Sequence, residues 1–220
     1  MEGIKKNIRY WSWISGKNML MLIGFAVFFG ILFGMLDGGV PEVLSVTSFY
    51  LLLFGVMCGG AMQVAAIQVY MGQCIAMGAK RKDVFFGMQY TNWIPAIVIY
   101  LFALICQFVT GTTGMNDWGI NMWSGQTVFF YVAAVLLVNG LGNIVSILCA
   151  RFGKAGMVAF VMLAACWGGM MGGMASMLAD GYIPFFPSVP KALVMIIPAV
   201  LYIVSAVIQY RIVRKYEIHV

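Results

Sequence analysis

Histidine occurs once, at position 219, so a bis-histidine haem site within a membrane, an H-E-x-x-H zinc site and a Ser–His hydrolase all lack a required residue. A phosphate-binding G-x-x-x-x-G-K-[ST] loop is also missing: Gly16-Lys17 and Gly153-Lys154 lack a glycine-rich lead, and Asn18 or Ala155 stands in the Ser/Thr position. Proton relays and most ion-coupled carriers place Asp, Glu, Lys, Arg or His near the membrane midplane, and none lies in the six long apolar runs of this chain. What remains inside those runs is amides, hydroxyls and glycines. Asn139, Asn143 and Ser146 recur at i, i+4 and i+7 with Gly142 beside them, Gly55, Gly59 and Gln63 form a second stripe, and Gln107 stands late in the third run. An amide in hydrocarbon costs several kcal/mol unless paired, so these side chains face protein or water. Two readings stay open: hydrogen bonds between helices, or a substrate pathway lined by Gln63, Gln107, Asn139, Asn143 and Ser146. No catalytic residue and no metal site is expected, and the chain is read as a non-enzyme.

The elements that position these residues follow from composition. Of 220 residues, 63% are hydrophobic and 9% charged, against roughly 25% charged in soluble domains. That excludes a soluble globular domain, a disordered chain and a nucleic-acid binder. A hydrocarbon core of about 30 Å requires about 20 apolar residues as a helix. Six runs meet that length: Met19–Leu36, Val46–Met71, Ile94–Thr110, Thr127–Ala150, Ala155–Ala179 and Ala192–Tyr210. The first is too long for a signal-peptide core and is expected to stay in the mature protein. The five cysteines lie in or near these runs and read as reduced thiols.

With six crossings, twelve bases and three acids fall on the side of the N-terminus and one base and four acids fall opposite, which accounts for the net +6. Both termini are therefore expected in the cytoplasm. Ile4, Ile8 and Trp11 share one helical face while Lys5, Lys6 and Arg9 share the other, predicting an interfacial helix over 1–18, with a solvated basic leader as the alternative. Trp118, Trp123, Tyr182, Phe185 and Phe186 suit the headgroup level. In the fifth run, glycines at 168, 169, 172 and 173 fit close helix packing, or an early helix end followed by a re-entrant outer segment over 174–190. Most of the eighteen methionines read as core filler, and a Met-lined pathway would accept variable apolar cargo.

The second run continues as a helix to Met77, well past the membrane, and leads to Gly78-Ala79-Lys80-Arg81-Lys82-Asp83-Val84-Phe85-Phe86-Gly87-Met88. Asp83 suits the start of a short helix, and Phe85, Phe86 and Met88 are expected to form an uncovered apolar surface beside three bases. Such a surface is either a docking site or a headgroup anchor.

In this loop and in its whole layout the chain resembles the permease subunits of type-2 ABC (ATP-binding cassette) exporters. In that family a long second helix leads to a segment reading approximately Gly-x-Ser/Thr-Arg-Lys/Arg-Asp-aromatic-aromatic. Gly78, Arg81, Lys82, Asp83, Phe85 and Phe86 fit it, and Lys80 stands where Ser or Thr is common. The resemblance implies an all-α integral membrane fold in one permease domain over 1–220: six transmembrane helices, an N-terminal interfacial amphipathic helix, and a cytoplasmic coupling helix over 78–88. It implies export of an amphipathic or hydrophobic substrate such as a peptide, antibiotic or lipid across a bacterial plasma membrane. It further implies a second permease chain, identical or sister, and a cytosolic ABC ATPase that carries ATP and Mg, so no cofactor is expected on this chain. The competing expectations are a non-transporting membrane scaffold that binds a cytosolic partner, and an ATPase-independent channel.

Overall fold

Where no water is at hand, a backbone must satisfy its own N–H and C=O groups, and in a single chain without a closed barrel the helix does so locally. Accordingly, every regular element among the described residues is helical. The computed structural model describes residues 2–37, 40–109, 123–153, 155–156, 158 and 191–215. The helices are α1 (Glu2–Asp37), α2 (Val40–Ala65), a π-helical turn (Ala66–Tyr70), α3 (Met71–Ala76), α4 (Arg81–Val109), α5 (Gly125–Phe152) and α6 (Lys191–Lys215). Five stretches are long and apolar enough to cross a membrane: Asn7–Leu36, Glu42–Gln63, Arg81–Val109, Gly125–Phe152 and Ala192–Lys215. This is the layout of a multi-pass membrane protein. The fifth expected run, apart from residues 155–156 and 158, and the re-entrant segment over 174–190 lie outside the described residues.

Packing follows the polarity expected in lipid. Phe25, Phe28 and Leu32 on α1, Ile97, Leu101 and Ile105 on α4, and Ile203 and Val207 on α6 are exposed, whereas Gln63, Asn92, Asn139, Asn143 and Gln209 are buried. α1 packs on α2 and α4, α2 lies between α1, α4 and α5, and α6 lies against α5 and α4. Small residues permit the closest approaches, as membrane helix pairs require. Gly30 and Gly34 of α1 sit directly on Thr47 and Val43 of α2, and a Cβ on Gly142 of α5 would come within 2.9 Å of Gly60 on α2. Within these helices the buried Thr47 and Ser48 turn their hydroxyls back onto the carbonyls of Val43 and Ser45, both at 2.7 Å, so neither hydroxyl proton is left unpaired.

Two expected boundaries differ from the structure. Residues 2–37 form one helix, so the interfacial segment over 1–18 is not a separate element from the first span. Gly16 is the residue nearest the expected boundary that disfavours a helix, and one glycine costs a helix only about 1 kcal/mol. Likewise the expected coupling helix over 78–88 is the first two turns of α4, which runs unbroken from Arg81 to Val109 with Pro95 inside it. Nothing between Arg81 and Asn92 stops a helix.

The turn between α3 and α4 is specified residue by residue. Gly78 takes φ +85°, a conformation that favours glycine. Its N–H donates to the Ile75 carbonyl at 2.9 Å, and that of Ala79 to the Cys74 carbonyl at 3.0 Å, the paired bonds of a Schellman cap. Lys80 then precedes α4, and its carbonyl accepts from Asp83 and Val84 at 2.8 and 3.0 Å. A lysine side chain has no acceptor to offer the first-turn N–H groups, in contrast to Ser124 at the start of α5, whose hydroxyl accepts from Gln126 and Thr127. We therefore expect Lys80→Ser to stabilise the protein by about 1 kcal/mol and Gly78→Ala to destabilise it by about 1–2 kcal/mol. Thermal unfolding of the two variants in one detergent checks both signs.

Candidate functional site

The polar side chains left inside the apolar helices meet in one place. The Gln63 amide donates to Asn92 Oδ1 at 2.7 Å, Asn92 donates to Gln89 Oε1 at 3.1 Å, Gln89 to Gln209 Oε1 at 2.9 Å, and Gln209 back to Gln63 Oε1 at 2.8 Å. Four carboxamides from α2, α4 and α6 thus form a closed ring in which each is donor to the next. Each has one donor and one acceptor committed, the arrangement that low-dielectric surroundings favour most. Gln63 donates a second time, to the Met88 carbonyl at 2.9 Å. Tyr202 donates to Gln89 at 2.6 Å and accepts from Trp93 Nε1 at 2.8 Å, which extends the network along the α4–α6 contact.

α5 is tied to this network less tightly. Asn139 donates to the Asn92 carbonyl at 3.4 Å and Asn143 to Ser205 Oγ at 3.3 Å. Asn139 Oδ1, Asn143 Oδ1 and Ser146 Oγ are buried with no partner among the described residues. The stripe read from the sequence is thus present, with three acceptor oxygens in reserve along it. Gln107 is separate: it is buried on α4 fifteen residues beyond Asn92, about 22 Å along the helix. The sequence reading omitted Gln89 and Asn92 because it began the third run at Ile94, and it passed over Ser205 and Gln209, an i, i+4 pair within the last run.

Below the ring, the chain turns through an elbow with its own apolar core. Trp11 of α1, Ile67 of the π turn, Met71 and Cys74 of α3, Val84 and Met88 of α4 and Val213 of α6 are buried together. Trp11 lies on Gly87 and meets Tyr70 edge to face at 5.6 Å, while Asn7 donates to the Asp83 carbonyl at 2.6 Å and Tyr10 to Gln73. Burial pushes the Cys74 thiol up to about 11, and like Cys58, Cys106 and Cys149 it forms no disulfide among the described residues.

This core corrects the expected surface. Met88 is fully buried, and Phe85 packs edge to face on Tyr210 of α6 at 5.1 Å, so neither is uncovered. Phe86 remains 58% exposed. Gly78 sets the turn, Asp83 lies in the first turn of α4, and Arg81 and Lys82 line a cleft against Tyr210, Val213 and Arg214 that the sequence did not reveal.

Two outcomes follow. Gln63→Leu strands three partners and should cost about 1–2 kcal/mol, coupled to Gln209→Leu by about 0.6–1.7 kcal/mol in a double-mutant cycle, whereas Ser146→Ala loses no bond among the described residues and should stay within about 0.5 kcal/mol. Cys74, neutral well above pH 8, should resist a maleimide in the folded chain and react once it unfolds; modification at Cys74 itself, located by peptide mapping of the native protein labelled at pH 8, would show the elbow core to be open. Comparison with family models, with curated proteins and with solved structures gives no match, so geometry carries the functional argument.

Proposed function

We propose that this chain is the membrane permease subunit of an ABC exporter, moving an amphipathic or hydrophobic substrate with energy from ATP hydrolysed on a separate subunit. The observation that carries this reading is the elbow. A turn fixed by Gly78 and a buried core from five elements presents Phe86, Lys80 and Lys82 outward, beyond the apolar length of α2. A rigid surface of this kind suits docking, because a partner that moves it moves the helices behind it. Those helices are joined two turns further on by the ring of Gln63, Gln89, Asn92 and Gln209, so displacement of the elbow reaches α2, α4 and α6 together. Asn139 Oδ1, Asn143 Oδ1 and Ser146 Oγ are buried without a partner among the described residues, and a shift of the helices that uncovers them would offer them to polar groups of a cargo.

The reading includes six crossings with both termini cytoplasmic. In support, α5 and α6 run parallel: Gly140 lies against Tyr202, and Asn143 bonds Ser205. Phe152 and Lys191 therefore mark opposite ends of the bundle, and one more crossing between them satisfies the connectivity. Arg81, Lys82, Arg211, Arg214 and Lys215 gather at one end, with Lys191 at the other. A second reading, a membrane scaffold that binds a cytosolic partner without transport, is favoured by how fully the ring amides satisfy one another.

Phe86 and Phe85 separate partner binding from folding. Phe86→Ala removes an exposed anchor and should weaken ATPase binding by at least about thirtyfold while leaving the melting temperature unchanged. Phe85→Ala removes the Tyr210 contact and should cost about 1–2 kcal/mol of stability. Affinity of the purified ATPase for each variant in neutral detergent, with a melting curve for each, is the test; undiminished affinity of Phe86→Ala would remove the docking role.

A further inference from the structure

The first turn of α4 and the last turns of α6 enclose a cleft of about 260 Å³ lined by Arg81, Lys82, Tyr210, Val213 and Arg214. Three of these five side chains are cationic. Arg81 Nη1 donates to the Arg214 carbonyl at 3.0 Å, which ties the mouth of the cleft together, and none of the three forms an ion pair among the described residues. The guanidinium has four further N–H donors, and the backbone N–H groups of Arg81 and Lys82 gain no side-chain cap from Lys80, whose carbonyl takes those of Asp83 and Val84. Positive charge, donors and the favourable end of a helix dipole therefore converge on a space whose other walls are the Tyr210 ring and buried Val213.

We propose that this cleft binds a phosphate group, presented by the headgroup of an anionic phospholipid. Several donors around one small volume suit a multi-oxygen anion better than a single carboxylate. The lipid source is favoured by what lies above: Ile203 and Val207 stand seven residues before Tyr210 and Arg214, on the same face of α6, and both are about half exposed. A headgroup seated in the cleft would lay an acyl chain along that face. The site also touches the machinery already described, since Tyr210 follows Gln209 of the amide ring and packs on Phe85 of the elbow. Occupancy would hold the end of α6 against the start of α4.

The test uses the full chain in nanodiscs of phosphatidylcholine, titrated either with phosphatidylglycerol or with inorganic phosphate, and follows the thermal midpoint. Saturable stabilisation by phosphatidylglycerol is expected, reduced about thirtyfold in apparent affinity by Lys82→Gln with Arg214→Gln. A control of equal charge, Lys80→Gln with Lys215→Gln, should change it by less than about threefold. Saturation by inorganic phosphate alone, lost in the same cleft variant, supports the phosphate site and assigns it to the free anion. Equal losses in the cleft and control variants would show a diffuse surface field, and no saturable effect of either ligand would show no site; each overturns the proposal. Both variants alter exposed side chains, and unchanged melting curves in phosphatidylcholine alone verify that they fold.

Discussion

A carboxamide carried into a helical bundle in lipid must find partners there, and four from three helices do so in the ring of Gln63, Asn92, Gln89 and Gln209. The rest of the structure is arranged around that requirement. Ring closure sets the rotation of α2, α4 and α6 about their axes, because turning any one helix by a residue would point an amide at lipid. Glycines let α5 approach α2 closely enough for Asn139 to reach the Asn92 carbonyl. Apolar packing between membrane helices has little preference for one register, since lipid is as apolar as leucine, so polar pairs supply the specificity.

The elbow extends that order beyond the apolar spans. α2 continues through a π-helical turn and α3, and a Schellman cap at Gly78 reverses the chain into α4 within four residues. Trp11 from α1 and Val213 from α6 complete the core beneath it, so four helices meet at the segment that follows the apolar length of α2. Charge and shape are divided there: Arg81 is drawn toward α6, while Phe86 projects outward. One elbow thus offers two different surfaces, a basic cleft and an exposed aromatic ring.

The helical spans were legible because hydrocarbon thickness imposes a length, and five of the six apolar runs fall on helices of the described residues. Gln63, Asn139 and Asn143 were legible for a related reason, that an amide within an apolar run stands out. Their partners were not. Gln63 and Gln209 are 146 residues apart, and no spacing rule along one chain pairs them. The two phenylalanines show a second limit: neighbours on a helix point about 100° apart, so Phe85 turns to Tyr210 and Phe86 to the outside, although a run of aromatics reads as one surface. Helix ends were the weakest reading, since the charge pattern suggests a break near residue 18 and another near 88 where the backbone has no reason to stop.

The proposed nucleotide-driven export depends most directly on what accompanies the chain in its own membrane. The decisive measurement is ATP hydrolysis by material isolated through a tag on the full chain in mild detergent and then placed in nanodiscs. The account predicts vanadate-sensitive hydrolysis that co-elutes with the chain and is lost when Phe86 is replaced by alanine. A chain that elutes folded, with its melting transition intact and without any nucleotide-hydrolysing partner, would contradict it.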